Sequence, residues 1–373
     1  MSKKRVLMMY ISERSGHHKA SSAVENAFKQ LSHDVETLSV NSFCYTNPIL
    51  EKIINRTYMS LIKRRPEVWG YLYDNPNVVK KTRKLKEVIH KYNSQKTRSL
   101  LEEFKPHAIV CTQAFPCGII ADYKKSSGEN VLLSGVLTDY APHSYWIYNN
   151  VDYYFVPSEE TREKLVANGI ARERIKLTGI PIDPKFKKII DKQKIIDSLN
   201  FEPDLPIVLV MGGSQGIGPI AEIAKILDNI PIVLQTIIVT GGNRKLYVFL
   251  KKRMASFNKK LAIFYYAENV DELMEISSFI VSKPGGITIS EALAKSLPMF
   301  IVKPIPGHEQ MNTDYLVKNK VAIKIDNLHD LGVFAAELLS NPQALKNMRD
   351  RAKSFSKPDS AFDIAKTVLE RIM

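Results

Sequence analysis

Cysteine and long apolar runs are both scarce in this sequence. Cys44, Cys111 and Cys117 are the only cysteines among 373 residues. They are too few for a disulfide framework or a cysteine-based zinc site, which indicates a reducing compartment. The longest apolar runs, Leu205–Met211 and Ile230–Thr240, are too short or too polar for the roughly 18 to 20 apolar residues of a membrane-spanning helix. The N-terminus, MSKKRVLMMYIS, lacks a small-residue cleavage site and is typical of a first strand rather than a signal peptide. We therefore expect a soluble type of fold in the cytoplasm.

Acidic residues are outnumbered, with 39 against 53 basic ones, and the formal net charge is +14. Such an excess favours a polyanionic partner, which can be nucleic acid, anionic lipid headgroups or a phosphorylated substrate. Between residues 80 and 98 there are eight Lys or Arg and a single acid, Glu87. No aromatic-basic motif for reading bases accompanies this charge, so we expect no nucleic acid partner.

The common metal-binding patterns are missing as well. The chain contains no D-x-D, no H-E-x-x-H and no Cys/His cluster, which are patterns that hold Mg²⁺ or Zn²⁺. We expect no metal and no other cofactor. Charge on a leaving group would then be stabilised by helix N-termini and backbone amides.

What the sequence does contain is a repeated alternation of short apolar runs and helical patterns. This βαβ rhythm predicts an α/β protein with parallel, doubly wound sheets. A stretch with two prolines and a glycine, residues 178–186, separates two such halves. The predicted strands are Arg5–Ile11, Ala108–Thr112, Val131–Leu137 and Asp152–Val156 in the first half, and Ile207–Met211, Gln235–Thr240, Ala262–Tyr265, Phe279–Val281, Met299–Val302 and Ala322–Ile325 in the second.

This organisation predicts two Rossmann-like domains facing a central cleft, which is the expected ligand site. We place the first domain at 1–185, the second at 186–355, and a C-terminal helix at 356–373 that can cross back onto the first domain. Between Asn41 and Asn93, apolar and aromatic residues mix with basic ones. That mixture suits either an element lying in a membrane interface or a helical insertion packed on its own domain.

The first glycine-rich turn of the second half follows the strand Ile207–Met211. It contains Gly212, Gly213, Ser214 and Gly216, and a helical pattern comes after it. Glycines let backbone amides approach an anion closely, and the following helix adds its positive end. The turn therefore predicts a phosphate contact, although a plain tight turn has the same composition.

A second turn, Lys283-Pro284-Gly285-Gly286, precedes a helix that we predict to start near Thr288. The amides of Gly286, Ile287 and Thr288 would then be free to bind a diphosphate. We expect Glu291 in the first turn of this helix, where its carboxylate can accept hydrogen bonds from two ribose hydroxyls or only complement the helix dipole.

A third segment, residues 304–312, combines turn residues with a polar cluster of Glu309, Gln310 and Asn312. Several donors and acceptors on one loop and helix start suit the hydroxyls of a sugar ring, although a solvated helix N-terminus has a similar composition.

Two segments of the first half follow predicted strands. Gly16-His17 at a strand-to-helix turn presents an imidazole that can take a proton from an alcohol, although a lone histidine is more often structural. The segment 137–146 offers a carboxylate, Asp139, together with His143 and Trp146, to a second substrate.

Together these segments resemble the GT-B glycosyltransferases of the group that contains processive diacylglycerol β-glycosyltransferases and monogalactosyldiacylglycerol synthases. The resemblance covers nearly the whole chain, through SGHHKA, LTDYAPHSYW, MGGSQG, KPGGITISEAL and PIPGHEQMN. It implies transfer of a hexose, glucose or galactose, from a UDP-sugar to the hydroxyl of diacylglycerol with inversion and without a metal. The acceptor lipid implies peripheral attachment to an anionic membrane surface at the inner face of the cell membrane.

The resemblance also implies roles for single residues. His17 would be the general base, with Asp139 as its orienting partner or as the base itself, and Gly16, His143 and Trp146 would lie on the acceptor side. On the donor side, the implied ligands are Gly212, Gly213, Ser214, Gly216, Gly286, Ile287 and Thr288 for the diphosphate, Glu291 for the ribose, the backbone around Tyr265 and Ala267 for the uracil, and Glu309, Gln310 and Asn312 for the hexose.

Other functions share parts of this pattern. A transferase for another lipid or a soluble acceptor would use the same donor residues, and a UDP-N-acetylglucosamine 2-epimerase would share the two-domain architecture without needing an acceptor. A non-catalytic UDP-sugar sensor would bind the donor without turnover.

Overall fold

The structure is a computed structural model that describes residues 3–13, 15–48, 95–140 and 146–373, with 52, 56–57, 60–61 and 67–68 between them. The basic and aromatic segment 41–93 therefore lies largely outside the described residues, and His143 lies outside them entirely.

The first sheet has six parallel strands in the order β2-β1-β3-β4-β5-β6. Its central strands are continuous apolar runs because helices cover both faces of a parallel sheet. The strands are β1 Lys4–Tyr10, β2 Val35–Asn41, β3 Ala108–Cys111, β4 Leu132–Val136, β5 Tyr153–Val156 and β6 Ile175–Leu177. The helices between them are α1 Gly16–Leu31, α2 Ser42–Thr46, α3 Ala114–Ser127 and α4 Glu159–Ala167, and residues 95–104 are also helical.

The second sheet also has six parallel strands, in the order β12-β11-β10-β7-β8-β9. The strands are β7 Ile207–Met211, β8 Gln235–Val239, β9 Leu261–Phe264, β10 Phe279–Ser282, β11 Met299–Val302 and β12 Ala322–Ile325. The helices that accompany it are α5 Lys192–Ser198, α6 Ile220–Asn229, α7 Arg244–Lys252, α8 Val270–Glu275, α9 Gly286–Ala294, α10 His308–Lys318, α11 Leu331–Leu339 and α12 Pro342–Ser354, and the chain ends with α13 Ser360–Ile372.

The chain divides into two compact units. Unit 1 comprises Met1–Pro184, Ile305–Met311 and Lys357–Met373, and unit 2 comprises Lys185–Pro304 and Asn312–Ser356. The C-terminal helix α13 thus belongs to unit 1, where its apolar face packs in one cluster with strands β1 and β3 and with α1. Ser360 fixes the start of α13 because its hydroxyl donates to the carbonyl of Ile180 at 2.9 Å.

The predicted fold class, α/β with two Rossmann-like halves, is confirmed by these two sheets. All six strands of the second sheet were expected from their apolar runs, with bounds that agree to within one residue. In the first sheet, β2 and β6 were not predicted. Within the described residues, no helix combines the length and the apolar character that crossing a membrane would require.

Candidate functional site

His17 lies in the first turn of α1, directly after the exposed Gly16. The helix begins there because Ser15 caps it: the Ser15 hydroxyl accepts a hydrogen bond from the His18 amide at 3.1 Å. Thr112, at the carboxyl end of the neighbouring strand β3, contacts His17 twice. Its carbonyl oxygen lies 2.9 Å from His17 Nδ1, and its hydroxyl donates to the His17 carbonyl at 2.8 Å.

The contact with Thr112 determines which ring nitrogen of His17 carries the proton. A carbonyl oxygen can only accept, so Nδ1 must be the protonated nitrogen, and Nε2 keeps its lone pair in the neutral ring. The hydroxyl of Thr138 also lies 3.0 Å from Nδ1 and can accept a share of the same proton. The contacts at Nδ1 therefore orient the half-buried imidazole, and Nε2 is the nitrogen that can accept a proton, as a general base requires.

Burial lowers the pKa of His17 below the usual imidazole range, and His308 lowers it further. Asp139 and the hydrogen bond to Thr112 act in the opposite direction, because both favour the protonated ring. The net effect keeps His17 neutral at pH 7. Asp139 thus interacts with His17 electrostatically, and its role as orienting partner or as the base stays a prediction.

Thr112 and Thr138 were not singled out from the sequence. A threonine after an apolar strand has no motif of its own. The signal that was available is topological: β3 is a neighbour of β1, and β4 is a neighbour of β3. Residues that follow these strands therefore lie beside the start of α1 at the same edge of the sheet.

Trp146 is a core residue of unit 1. Only 5% of it is exposed, and its ring packs so close to Gly135 that a Cβ there would be 3.2 Å from it. Its carbonyl accepts a hydrogen bond from the Tyr154 hydroxyl at 2.7 Å. The Trp146 side chain therefore packs in the core of unit 1, and its contact with the acceptor stays a prediction.

In unit 2, glycines shape the turn after β7 for steric reasons. A Cβ on Gly216 would lie 1.8 Å from the carbonyl oxygen of Thr240, and one on Gly212 would lie 2.6 Å from the side chain of Ile220. The Gly216 amide donates to the Gly213 carbonyl at 3.1 Å, so this residue closes the turn. Within the described residues, the amides of Gly213 and Ser214 make no such backbone bond, which leaves them available to an anion.

The space above Gly213 is open, with no atom of the described chain within 4 Å of the Cβ position. Gly213→Ala is therefore expected to weaken UDP binding about tenfold or more, because the methyl group would occupy the place of one charge-assisted hydrogen bond. Gly128→Ala is the matched control. Gly128 also has open space and has φ of 72° against 68° at Gly213, so both variants place a Cβ on a backbone with positive φ.

Calorimetric titration with UDP and a thermal melt check this prediction. The two variants should lose similar stability, and only Gly213→Ala should lose affinity. Equal UDP affinity of the two variants would remove Gly213 from the diphosphate site.

The helix α9 begins at Gly286, two residues earlier than predicted, with Gly285 as its N-cap. The amides of Gly286, Ile287 and Thr288 thus belong to the first turn, where they have no acceptor within the helix. Glu291 is the sixth residue of α9 and lies in its second turn, which corrects the expected position in the first. Because the helix dipole acts mainly on the first turn, Glu291 is a less effective partner of the dipole there than a first-turn carboxylate, and its side chain is buried.

The segment proposed for uracil lies at the end of β9. Tyr265 is half-exposed, and its carbonyl accepts a hydrogen bond from the Thr240 hydroxyl at 3.3 Å. Its ring contacts that of Tyr247 edge to face, at 5.8 Å between centroids. Ala267 is buried. The backbone here is therefore held in place beside the glycine turn.

The segment predicted to bind the hexose contains two buried residues, Glu309 and Asn312, and one half-buried residue, Gln310. Asn312 is fully buried, and its side-chain amide donates to the carbonyl of Pro284 at 3.0 Å. It therefore holds the Pro-Gly-Gly turn, and the prediction that it contacts the hexose is corrected. The buried Glu309 accepts the amide of Ile305 at 2.7 Å and closes its own loop. Gln310 is half-buried and is more exposed than Glu309 and Asn312, and its contact with the hexose stays a prediction.

Residues 305–311 group with unit 1 rather than with the flanking chain. His308, at the start of α10, is close enough to His17 to affect its pKa. The predicted sugar-binding loop and the predicted base therefore belong to the same compact unit. Among the described residues there is no group of three or more His, Cys, Asp or Glu side chains that could hold a metal ion.

Two family models match the chain. One is described as monogalactosyldiacylglycerol (MGDG) synthase and matches residues 17–182, and the other is described as glycosyltransferase family 28 C-terminal domain and matches residues 207–364. The processive diacylglycerol beta-glucosyltransferase of Bacillus subtilis (strain 168) is 27% identical over 369 residues, which cover 98% of this chain and 95% of that protein.

Solved structures with the same architecture include Acinetobacter baumannii MurG, with a TM-score of 0.66 at 12% identity over 99% of this chain and 100% of that one. An S. aureus MnaA–UDP co-structure has a TM-score of 0.64 at 15% identity, and the match covers 97% of this chain and 94% of that one. At these identities the likeness shows a shared fold, in which two parallel sheets form the two halves of a GT-B protein.

Proposed function

Because the chain belongs to the glycosyltransferases that join an MGDG synthase domain to a family 28 C-terminal domain, we propose that it transfers a hexose from a UDP-sugar to the hydroxyl of diacylglycerol. The anomeric configuration is inverted in a single displacement. The curated relatives that span nearly the whole chain are named diacylglycerol beta-glucosyltransferases, which favours glucose over galactose as the hexose. The enzyme acts at the inner face of the cell membrane, to which it attaches peripherally.

The observation that carries this proposal is the arrangement of His17. Thr112 holds the proton on Nδ1, so Nε2 is available to take the proton of the acceptor hydroxyl as its oxygen attacks the anomeric carbon. The bond from that carbon to the β-phosphate oxygen breaks, and UDP leaves with the electron pair. Asp139 favours the imidazolium that forms.

Donor binding is assigned mainly to unit 2. The diphosphate accepts hydrogen bonds from the amides of Gly213 and Ser214 and from those in the first turn of α9. These donors stabilise the negative charge that develops on the leaving group. Glu291 accepts the ribose hydroxyls, and Gln310 contacts the hexose. No metal takes part in these steps.

The test is incubation of the purified protein with UDP-glucose or UDP-galactose and diacylglycerol in detergent micelles, followed by chromatography of the lipids. A β-linked glycosyl-diacylglycerol supports the proposal. Conversion of UDP-N-acetylglucosamine without acceptor would identify an epimerase instead, and UDP binding without turnover on lipid and soluble acceptors would identify a sensor.

Asp139 and His308 affect the pKa of His17 in opposite directions, so their replacements are expected to change the pH dependence of transfer in opposite ways. Asp139→Asn should move the acidic limb of kcat/KM to lower pH, because loss of the carboxylate lowers the pKa of His17 further. His308→Gln should move the same limb to higher pH, because it removes a group that lowers this pKa.

A pH–rate series with UDP-glucose measures both shifts against the wild-type protein. If the acidic limb moves in the same direction in both variants, or moves in neither, it does not report the ionisation of His17.

A further inference from the structure

The helix α7 and the turn after it form the most uniformly basic stretch among the described residues of unit 2. Between residues 244 and 260 there are seven Lys or Arg and no Asp or Glu. They are Arg244, Lys245, Lys251, Lys252, Arg253, Lys259 and Lys260. This stretch is separate from the basic segment 80–98 that the sequence singled out.

Apolar side chains lie in the middle of this charge. Leu250 is buried and fixes the inner face of α7, while Lys245, Val248, Phe249 and Lys252 lie on the opposite, exposed face. Val248 is 41% exposed and Phe249 39%, and Met254 in the following turn is also 39% exposed. A surface helix normally places polar residues on its outer face.

The aromatic rings of this helix are each accompanied by a cation. The Arg253 guanidinium lies 4.1 Å from the ring centroid of Phe249, and the Lys251 ammonium lies 5.9 Å from that of Tyr247. Such pairs fit the headgroup region of a bilayer, where rings lie at the acyl boundary and cations meet lipid phosphates. A polyanion dissolved in water would give Val248 and Met254 no apolar environment.

We propose that the outer face of α7, formed by Lys245, Val248, Phe249, Lys252 and Met254, docks unit 2 on an anionic lipid surface. This inference rests on the proposed function, because it takes the acceptor to be diacylglycerol, which lies in the membrane. Lys245 and Lys252 of this face complement anionic headgroups, and its three apolar residues enter the layer beneath them.

The position of α7 gives this docking a use. Asn243, the N-cap of α7, donates from its side-chain amide to the Gly216 carbonyl at 3.2 Å, and the amide of Gly242 donates to the Ser214 carbonyl at 2.8 Å. The helix therefore starts directly at the glycine turn. Docking α7 would hold the predicted diphosphate site at the membrane surface, where the lipid acceptor is.

The experiment measures partition of the full-length protein onto vesicles of phosphatidylcholine alone and with phosphatidylglycerol. Lys245→Gln with Lys252→Gln should lower binding to the anionic vesicles about five- to thirtyfold, and the loss should shrink as salt is raised. Lys346→Gln with Lys353→Gln is the matched control, because this exposed pair on α12 has the same spacing.

The apolar contribution is tested by Val248→Ser with Phe249→Ser. This variant should lower binding about tenfold, whereas Val333→Ser with Phe334→Ser, an exposed pair of the same residue types on α11, should leave it unchanged. In a Phe249→Trp variant, lipids with brominated acyl chains should quench the added fluorescence, and they should not do so in Phe334→Trp. UDP affinity should stay at the wild-type value in all of these proteins.

Equal vesicle binding by the α7 variants and their controls would overturn the proposal. So would loss of binding to duplex DNA, with vesicle binding intact, because the face would then be a nucleic acid site. Transfer to diacylglycerol in detergent micelles is measured in parallel. It tests the proposed function alone, so the failure of one proposal can be told from the failure of the other.

Discussion

Replacing His17 by asparagine is expected to lower the rate of sugar transfer by about 10² to 10⁴-fold, the usual contribution of a general base. Asparagine can still donate a hydrogen bond to the Thr112 carbonyl, as Nδ1 does at 2.9 Å, but it has no counterpart of Nε2. The change therefore removes the proton acceptor and leaves the local structure in place. UDP affinity should not change, because the proposed reaction places His17 against the acceptor and not the donor.

His18→Asn is the control for this measurement. The His18 ring stacks on Tyr10 at 4.5 Å between centroids and lies 3.6 Å from the Glu13 carboxylate. These contacts place it outside the proposed proton transfer, so kcat should stay within about twofold of wild type. Rates are measured with saturating UDP-glucose, and UDP binding is measured by calorimetry. An unchanged kcat in His17→Asn would exclude this residue as the base.

Replacing Glu291 by alanine is expected to weaken UDP binding by about 10- to 100-fold. A carboxylate that accepts hydrogen bonds from ribose hydroxyls is worth about 1.5 to 3 kcal/mol. The UDP affinity of Glu291→Gln should lie between those of wild type and Glu291→Ala, because the side-chain amide keeps one acceptor oxygen but lacks the negative charge. Calorimetric titrations with UDP give the affinities.

Because Glu291 is buried, its loss can also act through the helix α9. A UDP analogue without the 2′ and 3′ hydroxyls separates the two effects. Wild type should bind the analogue much more weakly than UDP, and Glu291→Ala should bind both with similar affinity. If the variant loses as much affinity for the analogue as for UDP, Glu291 is structural and the ribose contact is wrong.

The fold was predictable wherever burial on both faces makes a strand a continuous apolar run. This is why β7, β8, β10 and β11 were found with nearly the correct bounds. The strand β2 was missed because it is an edge strand of mixed composition, VETLSVN, with its first residues only partly buried. β6 has three residues, too few for any periodicity to show.

The start of α9 was placed two residues late for a related reason. Glycine is a poor helix former, so Gly285-Gly286 was interpreted as a turn. In the structure Gly285 caps the helix and Gly286 is its first residue, and the position of Glu291 shifts with it. The amides of Gly286, Ile287 and Thr288 still lie at the helix start, where the first amides of any helix have no internal acceptor, so their contact with an anion stays a prediction.

Individual roles were harder to predict because composition does not say which side chains are buried. Trp146 and Asn312 have the residue types of a binding site, yet both are inside their units and stabilise them. Thr112 shows the converse. Its contact with His17 depends on the order of strands in the sheet, which only the three-dimensional topology supplies.

The side-chain amide of Asn243 connects the glycine turn to the helix α7, because its nitrogen and its oxygen each make one hydrogen bond. Its nitrogen donates to Gly216, and its oxygen accepts the amide of Leu246 at 3.1 Å. The two substrates of the proposed reaction share no common phase, since a nucleotide sugar diffuses in water and diacylglycerol diffuses laterally in the bilayer. A junction this short lets one small region meet both, so neither substrate has to leave the medium in which it is soluble.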